Sequence, residues 1–526
     1  MLPRAPARLL AALVLASGVL AAGCDSALDP EPFGIETLES QLSSPAGAVP
    51  FANSFYEPMQ GLYGSFGAPM ALALESSTDD GWAFAQFAGT YKERDVTGSE
   101  GEFNAIWGKS LGDGIGRANI YLDAEGDIDW TGEEDLRAQL QGEAYFFRAF
   151  YYFNLVRIFG EVPIYTERLR SVADAQQPRD PVADVYAQIK EDARRAIDLL
   201  PEGHANNGDL GQERGRVTSG AARTLLGKVH LTLEEWDDVI SVTDPVVGAY
   251  SLRPNYIDNF YGLLLDTSGE NRDESIFEVQ YAEQGVGPQH QLRVSYTPAG
   301  VRDGQNQILP TDSGYLESQP GAYGDNAFVQ AFEDGDERFD VLLSKFGSTR
   351  PPVTGTFPER DASGEIVRDG SGNIVFDREW FVLKWYSEIS NQETRWNIPV
   401  FRYAEVLLMR AEAYAENGDT GSAVALVNEI RQRAGLDNLE AEDSDEQDEV
   451  IAAVRKERRT ELGFEFKRFF DLNRWGILAD EVAEQGVTIP GSKITTHPIT
   501  GKPEVLWPIP SSELQRNPNA SQNAGY

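Results

Sequence analysis

A mainly α-helical fold, with helix pairs stacked beside a loop-rich region that carries short β-hairpins, is what this 526-residue sequence predicts. Three observations predict it. Several stretches repeat large apolar residues at helical spacing on one face. Short turns join some of these stretches two by two. A long segment, 251–400, is instead rich in Gly, Pro, Asn, Asp and Tyr and holds no such period.

The first periodic stretch is 135–159 (DLRAQLQGEAYFFRAFYYFNLVRIF), with Leu136, Leu140, Ala144, Phe147, Tyr151 and Leu155 on one face. Gly160 and Pro163 end it. Residues 181–199 form a second amphipathic helix with Pro181 at its first turn. Residues 218–231 follow, capped by Thr218 or Ser219, and then 235–247. Beyond the insertion, 402–416 and 421–433 flank the turn NGDT, and 446–475 reads as one final long helical stretch. Ala222-x-x-Leu225-Leu226, Ala404-x-x-Leu407-Leu408 and Ala144-x-x-Phe147-Arg148 each set a small residue before large ones. That arrangement suits closely stacked pairs and resembles the tetratricopeptide plan of helix, turn, helix. The other reading is an irregular helical bundle. Residues 50–125 read as helix-poor in places, and 361–377 (DASGEIVRDGSGNIVFD) as a β-hairpin.

The first 23 residues have the plan of a secretory signal peptide: Arg4 and Arg8, an apolar run Leu9 to Leu20, then Ala21, Ala22 and Gly23. The run is too short to span a bilayer, which takes ~20 residues. The only cysteine, Cys24, follows directly. It sits where a bacterial lipobox places the cysteine that becomes residue one and carries lipid. Leu20 stands four places before it, where such motifs prefer three. The other reading is an ordinary signal peptide with a chance cysteine. Residues 24–50 then begin as a polar, acidic, Pro-interrupted tether. The expected organisation is 1–23 signal peptide, 24–50 lipidated tether, 51–250 N-terminal helix pairs, 251–400 insertion, and 401–526 C-terminal helix pairs and tail.

Removing residues 1–23 removes two arginines and leaves 43 basic against 84 acidic residues, a net charge of −41. So acidic a chain disfavours nonspecific binding to nucleic acid or anionic lipid. Its acidity reads either as an ordinary acidic surface or as a surface suited to molar salt, where the Debye length is ~3 Å. The four histidines are far apart in sequence and make no HExxH pair. In the insertion Asp369, Ser371 and Asn373 match the first three ligand positions of an EF-hand, but Ile374 replaces the required Gly. No cofactor or metal is therefore expected. No nucleophile elbow, P-loop or zinc motif is present either.

Four segments carry a family resemblance: EAYFFRAFYYFNLVRIFGEVPI (143–164), FRYAEVLLMRAEAYAENG (401–418), RKERRTELGFEFKRFFDLNRWG (455–476) and LWPIPSSELQRNPNASQNAGY (506–526). With the helix at 215–231 and the DERFD element at 336–340, they resemble the SusD/RagB family of surface lipoproteins from Cys24 to Tyr526. The tail departs at Ala524, where the family usually has Pro. The resemblance implies a SusD-like fold of four tetratricopeptide-like helix pairs under a loop-rich face. It implies capture of a glycan outside the outer membrane, with the lipid at Cys24 as anchor. It implies a partner, a SusC-type TonB-dependent β-barrel on which the lipoprotein sits as a lid; catalysis is not expected, because the motifs named above are missing. A lid for a non-glycan nutrient, a solute-binding lipoprotein of an ATP-driven importer and a glycosidase are the alternatives.

Glycans are held by rings stacked on sugar C–H faces and by polar side chains on the hydroxyls. The stretch 76–91 (SSTDDGWAFAQFAGTY) reads as a loop presenting rings, so Trp82, Phe84 and Tyr91 near Asp79 and Asp80 are candidate ligand residues. Tyr296, Asn306, Tyr315 and Tyr323 are the candidates from the insertion. In 455–476, arginines a turn away from Glu457 and Glu461 predict local pairs worth ~0.2–0.5 kcal/mol each on an exposed helix.

Overall fold

The computed structural model describes residues 38–64, 69–83, 90–202, 215–260, 270–271, 273–281, 292, 316–318, 327–345, 380–382, 384–385, 396–439 and 447–526. The helices pack in sequence order. Glu134–Phe159 pairs with Val182–Leu199, and Ser219–Thr232 pairs with Trp236–Thr243. Tyr403–Glu416 pairs with Thr420–Arg433. Gln447–Glu461 lies across that third pair and is tied to Arg468–Trp475 by the Arg458–Asp471 ion pair. Trp236–Thr243 rests directly on Tyr403–Glu416, so the second and third pairs are neighbours although the insertion separates them in sequence.

Local chemistry explains the ends. Thr218 accepts a hydrogen bond from the Ala221 amide at 3.3 Å, and Asp419 accepts one from Ser422 at 3.0 Å. Glu134–Phe159 stops at Gly160, whose φ of 73° suits glycine and whose missing Cβ makes room for Leu506. The one-faced pattern understates this helix. From Leu140 to Phe159 almost every residue is buried, because neighbours cover it on several sides.

The long stretch 446–475 is two helices, broken at Leu462–Lys467. There Phe464 (φ 58°) and Phe466 (φ 63°) take left-handed backbone that costs of order 1–2 kcal/mol per residue. The break lets the amides and carbonyls of 463–466 bond inward, as described below. Residues 45–124 are also more helical than expected, with Pro45–Asn53, Glu57–Tyr63, Gly101–Trp107, a π-helical Gly108–Ile115, and Gly116–Ala124. Glycines hide this segment from a propensity reading. One of them is a packing necessity: a Cβ on Gly114 would lie 2.2 Å from the buried Tyr151 ring. Gly114→Ala is expected to cost about 1–3 kcal/mol, read as a lower urea midpoint with an unchanged m-value.

Four two-stranded antiparallel sheets complete the described fold. Ser275–Val279 pairs with Ile398–Arg402, both buried throughout, which brings the two ends of the insertion side by side. Leu343–Lys345 pairs with Trp380–Val382, and Ile494–Thr496 with Pro503–Val505. No sheet among the described residues exceeds two strands, unlike the two α/β lobes of an importer's solute-binding protein. No helix among them is long and apolar enough to cross a membrane. The tail lies against the body. Asn523 donates to the carbonyls of Phe159 (2.9 Å) and Trp507 (2.7 Å), and a short helix, Ser511–Arg516, follows Pro510. The hairpin at 361–377 lies outside the described residues.

Candidate ligand-binding site

The strand Gly81–Ala83 pairs with Leu316–Ser318 in the register Gly81↔Ser318, Trp82↔Glu317, Ala83↔Leu316. Leu316–Ser318 in turn packs on Trp380–Val382. The N-terminal segment that carries Trp82 and the insertion, more than 200 residues apart in sequence, thus meet edge to edge where Trp82 pairs with Glu317. Only the backbone of Trp82 is described. Cys24, Phe84, Tyr296, Asn306, Tyr315 and Tyr323 lie outside the described residues.

Below this sheet sits a base of buried ion pairs. Arg468 holds Asp79 in a fork, Nε to Oδ1 at 2.8 Å and Nη2 to Oδ2 at 2.6 Å. Arg459 donates to Asp80 Oδ1 from Nε (2.8 Å) and Nη2 (2.5 Å) and also reaches Asp79 (2.8 Å). Asp79 and Asp80 are 2% and 1% exposed. They were expected to face a ligand; in the structure their acceptor capacity goes to two arginines, and they fasten the loop instead. Thr78 Oγ1 accepts from the amides of Asp80 and Gly81, and Lys92 donates to the Gly81 carbonyl at 3.2 Å. Tyr91 is likewise a core ring. It is 1% exposed, stands edge-on to Phe103 and Trp507, and donates from its hydroxyl to Glu102 at 2.6 Å.

The base continues through the 461–466 break. Arg402 donates to Glu465 (2.9 and 2.7 Å) and Glu461 (3.0 Å) and pairs with Glu274. Arg433 bridges Glu274 (3.0 Å) and Glu461 (2.6 Å). Arg338, from the DERFD element, holds Asp336 (2.9 and 2.7 Å) and Glu457 (2.5 Å). Lys384 of the insertion donates to the Gly463 carbonyl (2.8 Å) and Glu465 (2.5 Å), and Trp385 Nε1 to the Phe464 carbonyl (3.0 Å). The insertion is pinned to the C-terminal helices at that turn. The local pairs expected within 455–476 are therefore replaced by long-range ones. Glu457, Arg458, Glu461 and Arg468 all face inward, where a neighbouring element supplies the opposite charge.

Sequence reasoning missed Glu274, Lys384, Arg402 and Glu465 as structural hubs. The available signal was a charge set inside apolar runs, as in "VFRY" and "FEFK". The His230–Glu235–Asp238 cluster is the one group of metal-ligand type among the described residues. Lys190 already occupies both Glu235 oxygens (2.5 and 2.7 Å), and no metal is assigned there.

These pairs set a pH profile. Burial alone would raise Asp79, Glu465 and Asp471, but their arginine partners, joined at Glu465 by Lys384, outweigh it and hold each down to about 2. Their stabilisation is present above the unfolded carboxylate range and is lost as pH falls toward 2. Glu75 and Glu504 behave oppositely: burial pushes them up to about 8 and about 7. Their contribution is full below about pH 4.5 and is lost as pH rises through those values. The urea midpoint is expected to fall as pH drops from about 4.5 toward 2. Between pH 6 and 8 the loss at Glu75 runs against the gain from His230 and His497, which burial pushes down, so the test is a difference: Glu75→Gln is expected to gain on the wild type as pH rises from 6 to 8, and an unchanged difference contradicts the assignment.

The described residues thus define a mainly helical frame of stacked pairs, with one strand pairing that joins the N-terminal segment to the insertion beside a base of buried ion pairs. Two family models match the chain, one described as the SusD family over residues 273–526, the other as "starch-binding associating with outer membrane" over 71–231. The chain belongs to the SusD/RagB family. It is 26% identical to SusD-like protein P2 of Formosa agariphila, over 96% of this chain and 97% of that one. It is 24% identical to the starch-binding protein SusD of Bacteroides thetaiotaomicron, over 79% and 77%. Among solved structures, a SusD superfamily protein of Parabacteroides distasonis has a TM-score of 0.71 at 24% identity, covering 91% of this chain and 99% of its own. A laminarin-binding SusD-like protein has a TM-score of 0.70 at 24% identity, covering 92% and 100%.

Proposed function

We propose that this protein captures an oligo- or polysaccharide at the cell surface, without turnover, on the face where Gly81–Ala83 meets Leu316–Ser318. That strand pairing supports the reading, because it joins the segment that carries Trp82 to the insertion, whose sequence also offers Tyr296, Asn306, Tyr315 and Tyr323, as the 76–91 stretch offers Phe84. Lipid on Cys24 anchors the chain to the outer membrane, and a SusC-type TonB-dependent barrel receives the glycan beneath it as under a lid. The family and its starch- and laminarin-binding relatives support the ligand class. The net charge of −41 after residue 23 favours neutral or weakly charged glycans over polyanions.

Affinity gels cast with a panel of soluble polysaccharides, run beside reducing-sugar assays, test this. Retardation by at least one neutral glycan with no sugar release is expected. Release would make the protein a hydrolase, and no retardation on any gel would favour a non-glycan nutrient. Extraction of the native lipoprotein in mild detergent tests the partner, with a stoichiometric TonB-dependent barrel expected to co-purify.

A further inference from the structure

Between the long helix Glu134–Phe159 and the C-terminal helices lies a partly enclosed cavity of ≈ 40 Å³. That is room for a small ion or a few waters. Its wall is unbalanced in charge. Arg157, Lys228, Arg458, Lys467 and Arg474 line it, against Glu405 and Asp471, with Glu412 behind Arg474. Five cations thus face three carboxylates in the interior, where uncompensated charge is costly. Glu504 lies in an adjoining cavity of ≈ 30 Å³, and even counting it the cations lead.

The imbalance has particular owners. Among the described residues Glu405 is the one carboxylate beside both Lys228, which bonds it directly, and Lys467, 3.5 Å away, whose ammonium also donates to the Val400 carbonyl at 2.6 Å. Arg157 makes no carboxylate ion pair among the described residues. Its guanidinium lies 3.7 Å from the ring centres of Phe153 and Phe470 and donates to the Phe153 carbonyl (3.1 Å) and to Asn154 Oδ1 (2.8 Å).

Two donors on the same wall are left without a hydrogen bond. Arg458 spends Nε and Nη2 on Asp471, and its Nη1 has no partner. Asn154 turns Oδ1 to Arg157, which leaves Nδ2 buried and unbonded. Both residues are under 4% exposed, at 3% and 2%. Buried donors of this kind are rare in folded proteins and point to a missing acceptor. Of the fully buried acceptors on this wall among the described residues, Glu405 Oε2 alone is unbonded and already stands beside Lys467; the Tyr63 hydroxyl lines the wall as well.

We propose that this cavity is a binding site for a small monovalent inorganic anion, chloride being the available one, held by Arg458 Nη1, Asn154 Nδ2 and the Lys467 ammonium. The ion supplies the acceptor that both donors lack and lowers the net positive charge of the wall. It knits Glu134–Phe159 to Gln447–Glu461 and to Lys467 at the break after that helix, and this makes part of the protein's salt response specific to the anion rather than a matter of screening.

Crystals grown in sodium bromide, with data collected at the bromine edge, test the site directly. An anomalous peak in the cavity, within hydrogen-bond reach of Arg458 and Asn154, is expected. Thermal melts in sodium chloride, sodium bromide and sodium gluconate at equal ionic strength give the second readout. Chloride and bromide are expected to raise Tm above gluconate by about 1–3 °C, with saturation. Lys467→Gln is expected to lose that difference while keeping a cooperative melt. Coincident melts in the three salts, or ordered water in place of bromide, overturn the proposal. A bromide peak with no anion-specific shift in Tm marks an adventitious ion only and overturns it as well.

Discussion

Arg402→Met is expected to destabilise the protein by about 3–5 kcal/mol, read as a lower urea midpoint. Arg402 is 1% exposed and serves Glu274, Glu461 and Glu465 together. Methionine fills much of its volume but leaves these carboxylates short of a shared cation at full burial. Arg433 and Lys384 remain, each already committed to the same acids. Arg402→Lys is expected to recover only part of the loss, because an ammonium cannot fork across three carboxylates. Lys384 and Trp385 hang on the same turn, so the insertion should become protease-sensitive at denaturant concentrations below the global transition. A midpoint within about 1 kcal/mol of the wild type would mean that the network is not a keystone.

Trp82→Ala is expected to weaken binding of the retarding polysaccharide by about 30-fold, the equivalent of roughly 2 kcal/mol, as for a ring at the centre of a binding face. Its thermal midpoint is expected to move little, because Asp79, Asp80 and Thr78 fasten the loop that carries it. Tyr91→Phe supplies the contrast. It keeps the buried ring and removes only the hydroxyl that bonds Glu102, so affinity should stay unchanged. If Tyr91→Phe abolished binding and Trp82→Ala did not, the face would be misplaced.

Much of the helical frame was legible in the sequence, because apolar period, caps and stops act locally. Glu134–Phe159, Val182–Leu199, Ser219–Thr232 and Tyr403–Glu416 begin and end within one residue of their expected bounds. The break inside 446–475 was not, since nothing local demands left-handed backbone at Phe464 and Phe466. That conformation answers to partners elsewhere, Lys384, Trp385 and Glu75. The helices at 101–124 were hidden by glycines whose reason, the Tyr151 ring at Gly114, lies on another element.

The candidate site was legible in part for the same reason. Ring-rich loops show in the sequence, and so does the acid pair at 79–80. Whether those acids face outward depends on Arg459 and Arg468, nearly 400 residues away. A one-dimensional reading sees two carboxylates beside a tryptophan, and the fold spends them on fastening the loop.

The central claim, a binding face assembled from the 76–91 loop and the insertion, is tested most directly by hydrogen–deuterium exchange with and without the polysaccharide that retards the protein most in affinity gels. Added protection is expected in peptides spanning 76–91 and 296–325, and none in Tyr403–Glu416 or Thr420–Arg433. Protection confined to the helix pairs, with both loop segments unchanged, would contradict it.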